Sequence, residues 1–139
     1  MQLNVEKVLS LHVELGESRC VGQTHEGLLT IIPIVGGSFE GPLLRGKVCP
    51  GGADWNTAVS ETIAHVHAMY WIETDDIVII SVENEGYIDA TRKDAVIRTT
   101  PRFLCDCKSR YQFITKDTFA AELSGGLGNS VDITVYKLL

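Results

Sequence analysis

Asp54 and Trp55 close the run Pro50-Gly51-Gly52-Ala53, a turn-forming stretch that can aim two side chains sharply. A carboxyl group beside an indole is a candidate general base, because an apolar wall raises its pKa toward neutrality. The doublet equally suits a structural role, with Asp54 capping the glycine turn and Trp55 plugging a barrel end.

His65 and His67 lie two residues apart. On a strand both rings face one side, roughly 7 Å apart, together with Ile63, Met69 and Trp71. Some barrels begin a metal site with such a His-x-His pair, but open catalytic metal sites still hold three protein ligands. Glu73 shares the face, no histidine follows it, and His12 and His25 have no fixed relation to the pair. No metal is therefore assigned. The histidines read as a hydrogen-bonded pair or as acid–base groups in a lumen, and a metal-dependent barrel built on them stands as an alternative. Arg98 could clamp a carboxylate or enolate if it turns inward, and is a solvated charge if it turns outward. Tyr70 is a candidate hydroxyl donor, and Glu40, between Phe39 and Gly41-Pro42, can face either way.

Other motifs are silent. Cys105 and Cys107 fall on one face of a strand, without the two further ligands a zinc site needs. No C-x-x-C is present for redox chemistry. Gly36-Gly37-x-x-x-Gly41 lacks the Lys-Ser/Thr of a phosphate-binding loop, and no serine or cysteine occupies a nucleophile elbow.

The elements that must carry these residues repeat with period two. Leu9, Leu11, Val13 and Leu15 alternate with Ser10, His12 and Glu14, which is strand spacing. The spacing and composition predict further strands over residues 28–35, ending at Gly36-Gly37 with Pro33 at a bulge or edge, and over 43–48, 62–73 and 77–82. A turn is expected at Asn84-Glu85-Gly86. Strands follow over 95–99, 111–115, 119–123 (or one helical turn within 117–122) and 131–138, with a loop at 124–129. About nine or ten short strands make an all-β domain spanning 1–139. A single antiparallel barrel, closed or nearly so and lipocalin-like in general shape, leaves fewest bare edges.

At 139 residues there is room for one core. Net charge is −6 with no basic cluster, which argues against a nucleic-acid partner. No segment reaches the roughly 18 apolar residues of a spanning helix, and the N-terminus has no apolar leader core. With four cysteines of unremarkable spacing, a reducing cytoplasm is the expected setting. Barrels commonly pair through an outer face, so a homo-oligomer is compatible with this reading.

The stretch GGSFEGPLLRGKVCPGGADW over 36–55 resembles the signature of the domain-of-unknown-function family DUF3237. Tyr70, Thr74-Asp75-Asp76, Asn84-x-Gly86, Arg98-Thr99-x-Pro101 and Tyr111 are similar to further segments of that family. Two departures stand out: His67-Ala68-Met69-Tyr70 replaces a D-x-R-Y pattern, and Ile77 follows Asp76 where relatives carry glycine. The resemblance implies a β-barrel with a central cavity and no settled activity.

These readings converge on a small-molecule pocket in the barrel. Asp54, His67 and Arg98 are the candidate catalytic residues, with Trp55, His65, Tyr70 and Glu40 contacting the ligand. Such a set suits cofactor-independent proton transfer (isomerisation, cyclisation or lyase chemistry) with Asp54 or a histidine as base and Arg98 or Tyr70 facing the oxyanion. A non-catalytic carrier or sensor would use the same pocket, whereas a purely structural barrel would have a packed lumen.

Overall fold

The computed structural model describes residues 1–92, 96–126 and 128–139. Among the described residues, alternation of apolar and polar residues produces ten strands: β1 (Val5–Leu15), β2 (Arg19–Thr24), β3 (Gly27–Glu40), β4 (Arg45–Val48), β5 (Ala53–Ala58), β6 (Ile63–Thr74), β7 (Ile79–Asp89), β8 (Ile97–Leu104), β9 (Phe119–Gly125) and β10 (Ser130–Leu138). All pairings are antiparallel. Eight of the strands form a ring in the order β1-β10-β9-β8-β7-β6-β4-β3, closed where β3 returns to β1. β5 occupies the same gap as β4, pairing with β3 and β6, while β2 flanks β3 outside the ring. The expected all-β barrel is therefore present and closed.

Ring closure depends on β3, which serves two sets of neighbours. Leu28 to Pro33 pair with β5, and Gly36 to Glu40 pair with β1. The strand was expected to stop at Gly36-Gly37, yet it runs through them. Gly37 has φ +135°, and a β-carbon there would lie 1.9 Å from the His12 carbonyl oxygen. Only glycine lets β3 press against β1 at this bend. Pro33, expected at a bulge or edge, is the last residue paired with β5, close to a register shift between Glu14 and Leu15.

Other expectations need correction. Residues 53–58 form β5 rather than a turn bearing Asp54, and β2 was not anticipated. Asn84-Glu85-Gly86 lies inside β7, where pairing with β6 on one side and β8 on the other overrides its turn propensity. Residues 112–115 make a 3₁₀ turn, not a strand, and it buries Ile114 next to the buried Tyr111. Phe119 to Glu122 are strand rather than a helical turn. Ser124 and Gly125 belong to β9, not to the expected loop, and Ser130 already begins β10. Cys105 and Cys107 fall beyond the end of β8, so they share no strand face. The expected start of a strand at Ala95 and the Leu127 part of the 124–129 loop lie outside the described residues.

Inside the ring the two ends differ. Leu9, Leu44, Val48, Ile72, Ile80 and Phe103 pack with Tyr111, Ile114 and Phe119, and the Phe103 and Phe119 rings meet edge to face at 5.2 Å. Tyr111 ties this end to the turn between β6 and β7, its hydroxyl donating to Asp76 Oδ1 at 2.6 Å. Toward the other end the lumen is hollow.

Candidate functional site

Strand parity decides which side chains reach the hollow. On β5, Asp54 and Asn56 point inward and Trp55 outward; on β6, Val66, Ala68 and Tyr70 point inward. Asn84 and Ile88 of β7 and Ile97 and Thr99 of β8 complete that side of the wall. They enclose a cavity of about 280 Å³, near the lower limit of small-molecule pockets at roughly 300 Å³. Val13, Leu15, Ile34, Leu123, Val131 and Ile133 make much of the remaining lining apolar. A larger hollow of about 470 Å³ lies over β1, β3, β4 and β10, but it is an open groove on the polar outer face. The lumen cavity is the better site because it is more enclosed and apolar, with few convergent polar groups.

Among the described residues, Asp54 is the only ionisable carboxyl lining this cavity. Its Oδ1 accepts the His67 backbone N–H at 2.9 Å, and among the described residues Oδ2 has no hydrogen-bond partner. Burial pushes its pKa above the ordinary aspartate value, opposed by that backbone bond and by the nearby His67 and His65. Tyr70 is fully enclosed, which raises its phenol pKa and keeps it a neutral O–H donor. Two more polar heads are buried: Asn84 is 5% and Thr99 3% exposed. Asn84 Oδ1 and Thr99 Oγ1 have no partner among the described residues. An unpaired buried polar atom costs roughly 1–3 kcal/mol, so such groups point to something that satisfies them.

Of the residues proposed from sequence, Asp54 and Tyr70 enter the lumen and the others do not. His65 and His67 face outward because they alternate with Val66 and Ala68. His65 Nε2 pairs with Glu85 Oε2 at 2.7 Å, and His67 Nε2 with Glu83 Oε2 at 3.0 Å. Arg102 donates to the other Glu83 oxygen at 2.8 Å. Glu83 is held below the usual carboxylate range, first by the His67 hydrogen bond. Among the described residues no group of three or more His, Cys, Asp or Glu is placed to hold a metal ion. Arg98 is on the outer face of β8, donating to Glu122 Oε1 at 3.1 Å, so it clamps nothing in the cavity. Trp55 is 41% exposed on the outer face, and Glu40 lines the outer groove. Only His67 keeps a link to the lumen, through its backbone N–H.

Asn84 and Thr99 were missed as site residues. Asn84 looked like turn chemistry, and Thr99 was noted only beside Arg98. One signal was available: Arg98 and Thr99 must face opposite ways on a strand, so both could not point inward.

Comparison with known proteins now identifies the lineage. The DUF3237 family profile, described as a protein of unknown function, matches residues 3–138. The chain belongs to that family. A UPF0311 protein of Rhodopseudomonas palustris strain TIE-1 is 34% identical over 84 residues, which is 60% of this chain and 55% of the relative. A UPF0311 protein of Bradyrhizobium diazoefficiens is 37% identical over the same shares. These matches span little more than half the length of the curated relatives. Solved structures cover more. A conserved protein of unknown function from R. palustris superposes with TM-score 0.89 at 27% identity, covering 100% of this chain and 99% of the other. A structure from Penicillium herquei described as an enzyme has TM-score 0.80 at 20% identity, covering 100% and 96%, and shares the fold. Among the described residues no helix is long and apolar enough to cross a membrane.

Proposed function

We propose that this DUF3237 barrel binds a compact small molecule in its lumen and catalyses proton transfer on it, with Asp54 as the base. The observation carrying this reading is a carboxyl group whose Oδ2 has no hydrogen-bond partner among the described residues, in an apolar cavity that raises its pKa. A base of that kind holds a proton more tightly than exposed aspartate and is better matched to a carbon acid. The reaction removes a proton from the carbon next to a carbonyl onto Asp54, shifting the electron pair to the carbonyl oxygen as an enolate. Tyr70 O–H and Thr99 O–H are the donors available to that oxygen. Return of the proton from Asp54 to a different carbon of a conjugated or hydroxyl-bearing enolate completes an isomerisation and needs no external cofactor. A fold neighbour from Penicillium herquei is described as an enzyme, which supports a catalytic reading without specifying the reaction.

The test is hydrogen exchange of cyclohexanone in D₂O, followed by loss of the α-proton NMR signal. Exchange above the buffer rate is expected for the native protein, rising with pH through a value above the ordinary aspartate range. Asp54→Asn should reduce the catalysed rate by about 10²–10⁴-fold. Arg98→Gln, which alters only the outer face, should leave it intact. Equal exchange by Asp54→Asn and native protein would overturn the assignment, and binding without exchange would indicate a carrier.

A further inference from the structure

The two polar groups that sequence reasoning missed also constrain what the lumen accepts. Across adjacent strands, Asp54 is opposite Ala68, and Ala68 is opposite Asn84. The next inward row runs Asn56, Val66, Gly86 and Thr99. Neighbouring strands are about 4.8 Å apart, so the Asp54 and Asn84 backbones are separated by roughly 10 Å. The intervening Ala68 contributes only a methyl group, and Gly86 none. A gap thus opens over Ala68, with the Asp54 carboxyl on one side and the Asn84 and Thr99 heads on the other.

Charge narrows the ligand further. No lysine, arginine or histidine lines the cavity among the described residues, and its one ionisable carboxyl is Asp54. An anion placed there would meet a carboxylate with no compensating cation, in surroundings where desolvating a charge is costly. An uncharged ligand carries no such penalty. To satisfy both Asn84, which offers a donor and an acceptor, and the Thr99 hydroxyl, it needs a donor and an acceptor close together.

We propose that the lumen selects an uncharged α-hydroxy ketone, a compact ring with hydroxyl and carbonyl on neighbouring carbons. The ring sits over Ala68, its two oxygens toward Asn84 and Thr99 and its α-carbon toward Asp54. This deepens the proton-transfer reading and rests on the lumen being the working site. In an α-hydroxy ketone, transfer of the α-proton to Asp54 yields an enediolate. Protonation of the former carbonyl carbon, with a proton passing between the two oxygens, moves the carbonyl by one position. Atoms and electrons balance without a co-reactant.

The experiment is a ligand-observed NMR titration with four six-membered-ring probes: 2-hydroxycyclohexanone, cyclohexene, cyclohexanecarboxylate and cyclohexylamine. At pH 7 the hydroxy ketone should bind about tenfold tighter than cyclohexene, the gain from one or two net hydrogen bonds. The carboxylate should not bind. Thr99→Val, which is nearly isosteric and removes an unpaired hydroxyl, should fold well and shrink that preference. Asn84→Leu should abolish it, and Ala68→Leu should block every probe. Tighter binding of the carboxylate or the amine would overturn the ligand class. So would a preference that survives both Asn84→Leu and Thr99→Val. If cyclohexene does not enter and Ala68→Leu changes nothing, the lumen reading itself fails, an outcome distinct from a wrong ligand class.

Discussion

Two aspartates in this barrel have pKa values displaced in opposite directions, and their contributions to stability follow suit. Asp54 is raised by burial, so the folded state holds its proton more tightly than the unfolded chain. Stability is then greatest below the unfolded value, near 3.9, and is lost as pH rises through the folded one. Asp54→Asn removes that liability. Its melting temperature should exceed the native value at pH 7 and approach it at pH 3, while the proposed proton transfer is lost. Asp76 is the reverse. The Tyr111 hydroxyl, then Thr74 and Arg110, hold its carboxyl down to about 2. This contribution is present above the unfolded value and disappears as pH falls toward 2. Asp76→Asn should therefore melt below the native protein at pH 7, with the deficit shrinking between pH 4 and pH 2. Thermal unfolding of both variants across pH would check the two signs together; parallel profiles would contradict the two environments.

Turns and strands respond to position in the ring more than to local composition. Ile77, in the turn between β6 and β7, has φ +64° and is 76% exposed. A β-branched residue is strained in that left-handed region, where glycine is at ease. The family resemblance drawn from the sequence implies a glycine where Ile77 stands. Ile77→Gly should raise stability by about 1 kcal/mol, since it relieves backbone strain and removes little packing; denaturant titration with an unchanged m-value measures this. The strands with clean alternation, such as β1 and β10, were legible because one face is buried and the other wet. Residues 53–58 were not, because a glycine-rich prelude disguised β5 as the end of a turn. That error propagated to the site. Once β5 is a strand, Asp54 and Trp55 must face opposite ways. The period-two rule likewise separates Tyr70 from His67 and Thr99 from Arg98. Asp54 and Tyr70 were found by residue type, but assigning faces required the register across β5, β6, β7 and β8. That register is set by pairings distant in sequence, which local patterning does not encode.

Closure makes the whole molecule a ring in which most strands depend on two neighbours. β10 is held by β1 on one side and β9 on the other. β2 pairs with β3 alone, across a register shift between Cys20 and Gly22 that leaves Val21 out of the ladder. The same backbone insult should thus have unequal consequences. Thr134 lies on the outer face of β10, opposite Ser10 and Glu122, so replacing its side chain removes no core packing. Thr134→Pro deletes a backbone donor and forces a fixed φ between two partner strands, and should cost about 3 kcal/mol or more. Val21→Pro, at an exposed position in a bulge of an outer strand, should cost less than about 1 kcal/mol. Breaking the ring also uncovers strand edges on β1 and β9, which invite intermolecular pairing. Thr134→Pro should accordingly lose cooperative unfolding and aggregate, while Val21→Pro keeps a single sharp transition and full ligand binding. Circular dichroism melts with light scattering would distinguish them. Equal losses would mean that β2 is as integral to the barrel as β10, and that the lumen depends on more than the eight-stranded ring.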